Sequence, residues 1–368
     1  MSWRVGSDLD FPGAQILRRR PRKSRSGPRL TAMLVAISTY FSPQWTPQTT
    51  GVGAQLRGVS AVSDKVAWAS GADGTIVRTA DGGLTWQRLR VPDAEKLDFR
   101  DIDAIDERVA YVLSIGPGDA SRIYKTTDAG VTWTLQFANP DPKAFFDAMA
   151  FWDANRGIAF SDSVDGRFVI VATRDGGRTW ARVPQDGLPP ALENEGAFAA
   201  SGTNVAVHGR DHVWIGTGAA ATSRVLRSID GGRTWSIADT PLASGASSGI
   251  FSIAFRDTTH GVVVGGDYRK EAEAVANVAV TSDGGISWTL INTQGLSGFR
   301  SVVAPVPGAA GSWIAVGPSG ADLSTDDGRT WKKMDGPGSH TFSFAPGRGV
   351  GWGVGERGSA ARLEVAGR

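Results

Sequence analysis

Seven short segments carry, near the start of an apolar stretch, a residue that could take part in binding or in acid–base chemistry. The segments LRG, FRD, FDA, EGA, SGI, FRS and HTF contain Arg57, Arg100, Asp147, Glu195, Ser248, Arg300 and His340. Arginine presents a planar fork of N–H donors that binds a carboxylate through two hydrogen bonds. If the fold brings these residues together, the arginines and His340 form a continuous arc for a carboxylate or an acidic peptide, and Asp147 and Glu195 set its orientation.

Two other interpretations of these residues stay open. The charges could pair with each other and with Asp101 across a water-filled channel. Asp147 and Glu195 lie in consecutive segments and could also act as the two acids, about 5–10 Å apart, of a glycoside hydrolase. Four more residues could reach the same place from loops or second strands, namely Lys143, Asp162, Asp267 and Tyr268.

Other catalytic and ligand-binding patterns are missing from the sequence. The four histidines show no ligand spacing such as H-E-x-x-H, there is no Walker A motif, and the glycine-rich strings do not open a helix. The chain has no cysteine, which excludes disulfides and thiolate metal sites. We therefore expect no metal and no cofactor, and we favour binding over catalysis.

The elements that position these residues are indicated by one octamer, [ST]-x-D-x-G-x-[ST]-W, which occurs six times. Its aspartates follow each other at intervals of 47, 47, 55, 53 and 43 residues, and they are Asp81, Asp128, Asp175, Asp230, Asp283 and Asp326. Asp accepts hydrogen bonds from turn N–H groups, and Gly tolerates positive φ. The closing Trp anchors the next strand. The octamer therefore predicts a tight structural turn.

A repeat of this period with four short strands per unit is typical of a β-propeller. In the first unit the strands are predicted at 56–62, 65–71, 75–79 and 85–89. The six units start near 56, 99, 146, 196, 249 and 299. In a propeller the starts of the inner strands converge on one mouth of the central channel, which is where the seven residues above would meet.

The last segment, 340–363, has three predicted strands and no octamer. The missing fourth strand has a candidate in QWTPQ (44–48), whose Trp45 resembles the Trp that begins each outer strand. Sharing one blade between the two ends leaves no open strand edge. We therefore predict an all-β, seven-bladed propeller that is closed by an N-terminal strand, with six blades and a cap as the alternative.

The octamer resembles the Asp box, or BNR repeat, and residues 44–363 resemble the photosystem II stability/assembly factor family. The resemblance depends on strings such as LRGVSAVSDKVAWASGADGTIVRTADGGLTW (56–86), RIYKTTDAGVTWTLQF (122–137), KAFFDAMAFWD (143–153) and GIFSIAFRD (249–257). It implies a non-enzymatic scaffold with protein partners, including membrane-protein assembly intermediates, in the wider sortilin and sialidase-like superfamily. A glycoside hydrolase-like or carbohydrate-binding propeller is the alternative. The sialidase arginine-containing motif is absent, and no tyrosine lies at an inner-strand start.

The first 41 residues differ in composition from residues 42–368. We expect residues 42–368 to form one propeller domain. Residues 1–29 hold eight Lys or Arg against two Asp, so this tail carries +6 while the whole chain carries +2. The basic charge therefore belongs to the tail, and we expect no nucleic-acid partner. A charged run followed by the apolar segment 30–41 indicates an export signal. The alternatives are a disordered extension, with Met33 as the true start, and a cytoplasmic protein. We expect a monomer.

Overall fold

The computed structural model describes residues 43–365, which form seven four-stranded antiparallel sheets arranged as the blades of a β-propeller. Within each of the first six blades the strands follow chain order from the central channel outwards. These residues contain no α-helix and three short 3-10 turns, at Gly118–Ala120, Gln185–Gly187 and Glu356–Gly358. The prediction of seven blades is confirmed, and the six-blade alternative is wrong.

The strands of the first three blades have the following bounds. Blade one comprises β2 (Leu56–Ala61), β3 (Ala67–Gly71), β4 (Thr75–Thr79) and β5 (Gln87–Leu89). Blade two comprises β6 (Asp98–Ala104), β7 (Ala110–Ile115), β8 (Arg122–Thr126) and β9 (Thr134–Ala138). Blade three comprises β10 (Phe146–Phe151), β11 (Gly157–Val164), β12 (Arg167–Thr173) and β13 (Ala181–Arg182).

The remaining four blades follow the same plan. Blade four comprises β14 (Val205–His208), β15 (His212–Gly216), β16 (Arg224–Ser228) and β17 (Ser236–Asp239). Blade five comprises β18 (Ser248–Phe255), β19 (Gly261–Asp267), β20 (Val278–Thr281) and β21 (Thr289–Leu290). Blade six comprises β22 (Val302–Pro305), β23 (Trp313–Gly317), β24 (Gly320–Ser324) and β25 (Lys332–Met334). Blade seven comprises β26 (Thr341–Phe344), β27 (Val350–Val354), β28 (Ser359–Glu364) and β1 (Gln44–Thr49).

Burial decreases from the inner strands to the outer strand of a blade. Every residue of β10 and of β3 is buried, because these strands are covered on both faces by neighbouring blades. The outer strands β13 and β25 are largely exposed. The apolar core therefore lies between blades, as a series of separate clusters around the ring.

The octamer turns hold themselves together through their own side chains. In the first, Oδ1 of Asp81 accepts hydrogen bonds from Thr85 N–H and from the Thr79 hydroxyl, both at 2.9 Å. Thr79 Oγ1 in turn accepts a bond from Gly83 N–H at 2.8 Å. The bond from backbone N–H to the aspartate recurs in the other five turns, at Asp128, Asp175, Asp230, Asp283 and Asp326. The hydrogen bonds from Thr85 lower the pKa of Asp81 to about 2.

The ring closes where β1 joins blade seven. β1 pairs with β28 in antiparallel register from Gln44 opposite Glu364 to Thr49 opposite Ser359. Gln48 then links this blade to the next, because its Oε1 accepts hydrogen bonds from Trp352 Nε1 at 3.1 Å and from Trp86 Nε1 at 3.3 Å. Its Nε2 donates to the carbonyl of Gly82 at 2.8 Å. The N-terminal strand therefore ties blade seven to blade one.

Candidate functional site

A cavity of about 400 Å³ lies at the mouth of the central channel and is lined from six blades and from residues 197–200, which precede blade four. Its charged and titratable lining residues are Arg57, Arg100, Asp147, Asp162, Glu271 and His340. Its aromatic lining residues are Phe145, Phe198, Phe251, Tyr268 and Phe299. Four of the predicted mouth residues therefore share one cavity, namely Arg57, Arg100, Asp147 and His340.

β-Bulges aim side chains into this cavity. In blades one, two, three and five the register between the first two strands shifts by one residue, which leaves Arg57, Arg100, Asp147 and Phe251 unpaired. All four line the cavity. A bulge turns one extra side chain out of the regular pleat. The bulged position therefore recurs in these blades, whereas the residue type at that position differs from blade to blade. In blade five this position is Phe251, and Ser248, which the sequence suggested, does not line the cavity.

Glu195 is not a lining residue, because a buried ion pair consumes its carboxylate. Arg224 donates to both of its oxygens, and the Thr217 hydroxyl donates to Oε1 at 2.7 Å. The side chain of Glu195 has no exposed surface. The two-acid arrangement of Asp147 and Glu195 considered for hydrolysis is therefore not available, since Glu195 is fully bonded elsewhere.

Arg300 also lies outside the lining, in a buried ion pair of its own. Its Nε donates to Oδ2 of Asp322 at 2.7 Å, and each side chain is only 1% exposed. A side chain at Gly317 would meet the backbone of Arg300, just as one at Gly71 would meet that of Leu56. Arg300 thus occupies the core position that Leu56 fills in blade one, one residue before the bulge. The cavity-facing position of blade six is one residue later than the sequence pattern predicts, and Ser301 lines the cavity there.

Residues 196–204 form a segment that crosses over the channel, called here the crossing segment. The sequence pattern did not predict it. The inner strand of blade four begins at Val205 and not near 196. Ser201 donates from its hydroxyl to the carbonyl of Ser301 in blade six at 2.7 Å, and its own carbonyl accepts from the Thr341 hydroxyl in blade seven at 3.1 Å. Ser201 is buried. The signal for this segment was the 55-residue octamer interval, the longest of the five.

The basic side of the cavity has one arginine without an internal partner. Arg100 pairs with Asp98 at 2.8 Å and donates to the carbonyl of Ala199 in the crossing segment at 3.0 Å. His340 Nε2 lies 2.7 Å from Glu356 Oε1. Within residues 43–365, Arg57 forms no ion pair, and its buried Nε has no hydrogen-bond acceptor. Burial, and then the charge of Arg100, lowers the pKa of Arg57 to about 10.

The acidic side is a pair of carboxyl groups on neighbouring strands of blade three. Asp147 is 1% exposed, and its Oδ2 has no hydrogen-bond donor in the described part of the chain. Asp162 accepts a hydrogen bond from Ala197 N–H at 3.0 Å. Burial, and then the charge of Asp162, raises the pKa of Asp147 well above its usual value. Burial raises the pKa of Asp162 to about 6. Because each carboxyl group disfavours ionisation of the other, the pair keeps a proton to higher pH than isolated aspartates do.

An aromatic wall faces these charges from the crossing segment and from blades five and six. Phe198 of the crossing segment stacks on Phe251, with ring centroids 4.1 Å apart and planes 5° apart. Phe299 meets Phe251 edge-on at 4.7 Å, and Tyr268 meets it at 6.1 Å. The side chain of Tyr268 remains partly exposed at the rim. The cavity therefore offers cations, a carboxyl pair and an apolar surface to one ligand.

The other predicted residues lie outside the cavity lining. Lys143 forms an exposed ion pair with Asp165 at 3.0 Å, and Asp267 accepts a hydrogen bond from Arg269 N–H at 3.0 Å. The six octamer aspartates are used within their own turns. Among residues 43–365 no cluster of three potential ligands could hold a metal ion. No helix in that range is long and apolar enough to cross a membrane.

No family model and no curated protein matches the sequence. Among solved structures with a similar fold, YCF48 bound to D1 peptide is 16% identical, with a TM-score of 0.61 over 88% of this chain and 97% of that chain. YCF48 from Cyanidioschyzon merolae is 18% identical, with a TM-score of 0.59 over 87% and 98%. Virginiamycin B lyase from Staphylococcus aureus is 14% identical, with a TM-score of 0.57 over 89% and 100%. At these identities the likeness shows the fold.

Proposed function

We propose that this propeller is a non-enzymatic scaffold whose mouth cavity binds an acidic segment of a partner protein. The observation that carries the proposal is Arg57, a largely buried guanidinium that lines the cavity and has no acidic partner within residues 43–365. Placing a charge in a poorly solvated site costs free energy, and a ligand carboxylate would offset that cost. Arg100 and His340 are already paired, so Arg57 is the residue that we expect to contact the ligand carboxylate directly.

The fold comparison supports a peptide as the ligand class. YCF48 has been solved bound to D1 peptide, and this chain shares its fold along nearly the whole length of that protein. The octamers resemble Asp boxes, and the sequence resembles the photosystem II stability/assembly factor family. Membrane-protein assembly intermediates are therefore the partners that we propose to look for first. A propeller rim built from seven blades suits a short extended segment, because it offers contacts from several directions.

The test compares Arg57→Gln with Arg88→Gln, an exposed arginine on an outer strand of the same blade. Each protein is measured against a peptide array in which every acidic peptide is paired with its Asn or Gln counterpart. We expect the wild type and Arg88→Gln to prefer the acidic member, and Arg57→Gln to lose about tenfold in that preference. The preference should weaken with added salt, since charges are screened over about 10 Å at 0.1 M. Equal binding of both members by the wild type would exclude this site as an anion receptor.

We also propose that the protein works outside the cytoplasm, in the periplasm, a lumen or the medium. The supporting segment, residues 1–41, lies outside the described residues. It combines a basic run with the short apolar stretch 30–41, which is the composition of an export signal. Fusing residues 1–41 to a phosphatase that is active only after export tests this proposal, and an inactive fusion would exclude this segment as an export signal.

A further inference from the structure

Three incompletely bonded groups line the cavity, at Arg57, Asp147 and His340 Nδ1, and the first two are of opposite charge. The proposed function uses only Arg57 of these two. Arg57 lacks an acceptor for Nε, and Asp147 lacks a donor for Oδ2. In blade order Asp147 and Asp162 follow Arg57 and Arg100, and the aromatic wall of Phe198, Phe251 and Phe299 comes next. Buried polar atoms are nearly always hydrogen-bonded, so an orphan that lines a cavity points to a missing partner.

We infer that the Asp147–Asp162 carboxyl pair is a subsite for an ammonium or guanidinium group, and that the ligand of this cavity is dipolar. This inference rests on the proposed function for the ligand's negative end and adds its positive end. The cation would sit against Oδ2 of Asp147, and the apolar part of the ligand would lie on the aromatic wall. A peptide segment with one basic and one acidic side chain has this chemistry.

Proton exchange follows from the closeness of the two carboxyl groups. The raised pKa values mean that the ligand-free pair keeps one proton, and therefore a single negative charge, to higher pH than isolated aspartates would. An alkylammonium ion that enters the subsite donates its own N–H groups to the carboxylates, and the held proton leaves to solvent. Affinity for the cation should therefore rise with pH, because the displaced proton is given up more readily.

Other titratable groups near the pair have to be separated from this effect. Arg57, Arg100, Glu271 and His340 line the same cavity, and Asp101 of blade two accepts a hydrogen bond from Met149 N–H, two residues beyond Asp147. Burial lowers the pKa of His340, and it raises that of Asp101 well above its usual value. A variant that removes only the charge of Asp147 keeps these five other titratable groups. The difference in pH dependence between this variant and the wild type therefore reports on the Asp147–Asp162 pair.

The experiment uses three small probes that share a phenyl ring and differ in charge. They are phenethylammonium, neutral 2-phenylethanol and 3-phenylpropanoate, titrated into the full chain and followed by NMR. At pH 8 we expect phenethylammonium to bind about tenfold more tightly than 2-phenylethanol. This ratio should fall toward one at pH 5.5 and should be lost in Asp147→Asn. Calorimetry in two buffers of different ionisation enthalpy should show proton release on binding in the wild type alone.

The outcomes separate this inference from the proposed function. Wild-type protein that binds phenethylammonium no better than 2-phenylethanol at pH 8 would overturn the cation subsite. The same holds if Asp147→Asn retains the preference, and Asp162→Asn provides a second test should Asp147→Asn fold poorly. Binding of 3-phenylpropanoate reports only on Arg57. If phenethylammonium is preferred while 3-phenylpropanoate is ignored, the cation subsite stands and the anion receptor is wrong.

Discussion

Asp147 is a carboxyl group in a place that favours its neutral form. It is nearly inaccessible to solvent, has a second carboxyl group beside it, and has no hydrogen-bond donor to its Oδ2 in the described structure. Arg57 is the corresponding group of opposite charge. Burial also disfavours its charged form and lowers the pKa of Arg57 to about 10. Such groups oppose folding unless a ligand or a proton neutralises them. A ligand that contacts both groups would remove this cost.

Replacing Asp147 with Asn should stabilise the protein near neutral pH. Because burial raises the folded-state pKa of Asp147, the folded state holds the proton more tightly than the unfolded chain does, and wild-type stability rises as pH falls through that raised pKa. Asn lacks this charge, so we expect a gain of about 1–2 kcal/mol at pH 7.5 that shrinks by pH 5. Urea unfolding at both pH values measures the gain. A loss of stability at pH 7.5 would show that the carboxylate is well solvated.

The sequence predicted the kinds of residue at the mouth better than their exact positions. Arg57, Arg100, Asp147 and His340 line the cavity as expected. Arg300 does not, because a one-residue shift separates a bulged position from a core position and the string FRS looks the same in both registers. No local signal distinguishes Phe251 from Ser248 either, since the bulge is defined by pairing with a second strand. The pairing of Asp147 with Asp162 depends on that same cross-strand geometry.

The crossing segment is the element that shapes one side of the cavity at this propeller's mouth. It contributes Phe198 to the aromatic wall and Ala197 N–H to the carboxyl pair, and it is held from blades two, six and seven. Gly202 lets the segment pass close to the Asp101 carboxylate. Its φ is +72°, and a Cβ at this position would overlap that carboxylate.

Gly202→Ala should therefore be more harmful than another glycine substitution with the same backbone strain. Gly209 has a φ of +59°, and a Cβ there would meet nothing within 4 Å. We expect Gly209→Ala to cost about 1 kcal/mol from left-handed strain, and Gly202→Ala about 3 kcal/mol because overpacking adds to that strain. Chemical unfolding of the two variants gives the difference. If both cost the same, the segment is free to shift away from Asp101.

At the scale of the whole molecule, the sequence contained the information needed for closure. Six octamers and a seventh incomplete unit predicted seven blades, and Trp45 marked the strand that completes the ring. In the structure Trp45 packs edge-on against Phe342 with ring centroids 5.6 Å apart. Gln48 could not be singled out in advance, because its role depends on Trp352 and Trp86 meeting at the joint between two blades.

Removing the closing strand should open the ring. We compare a chain that starts at residue 42 with one that starts at residue 51, which lacks β1. The shorter chain leaves the edge of β28 unpaired and exposes the Trp352 side chain, so we expect a lower melting temperature and concentration-dependent association. Calorimetry and light scattering on the pair give the result. Equal melting temperatures with both chains monomeric would mean that β1 contributes nothing to closure.

The antiparallel pairing of β1 with β28 also sets how the ring responds to mechanical load. Gln44 lies opposite Glu364, so the two ends of the propeller emerge side by side at the same end of the joint. Tension between them peels β1 away one residue pair at a time, like a zipper. A shear geometry would instead load all the hydrogen bonds at once. The closed ring should therefore open under a modest pull on its two ends, and an optical-trap measurement would find the first rupture at β1.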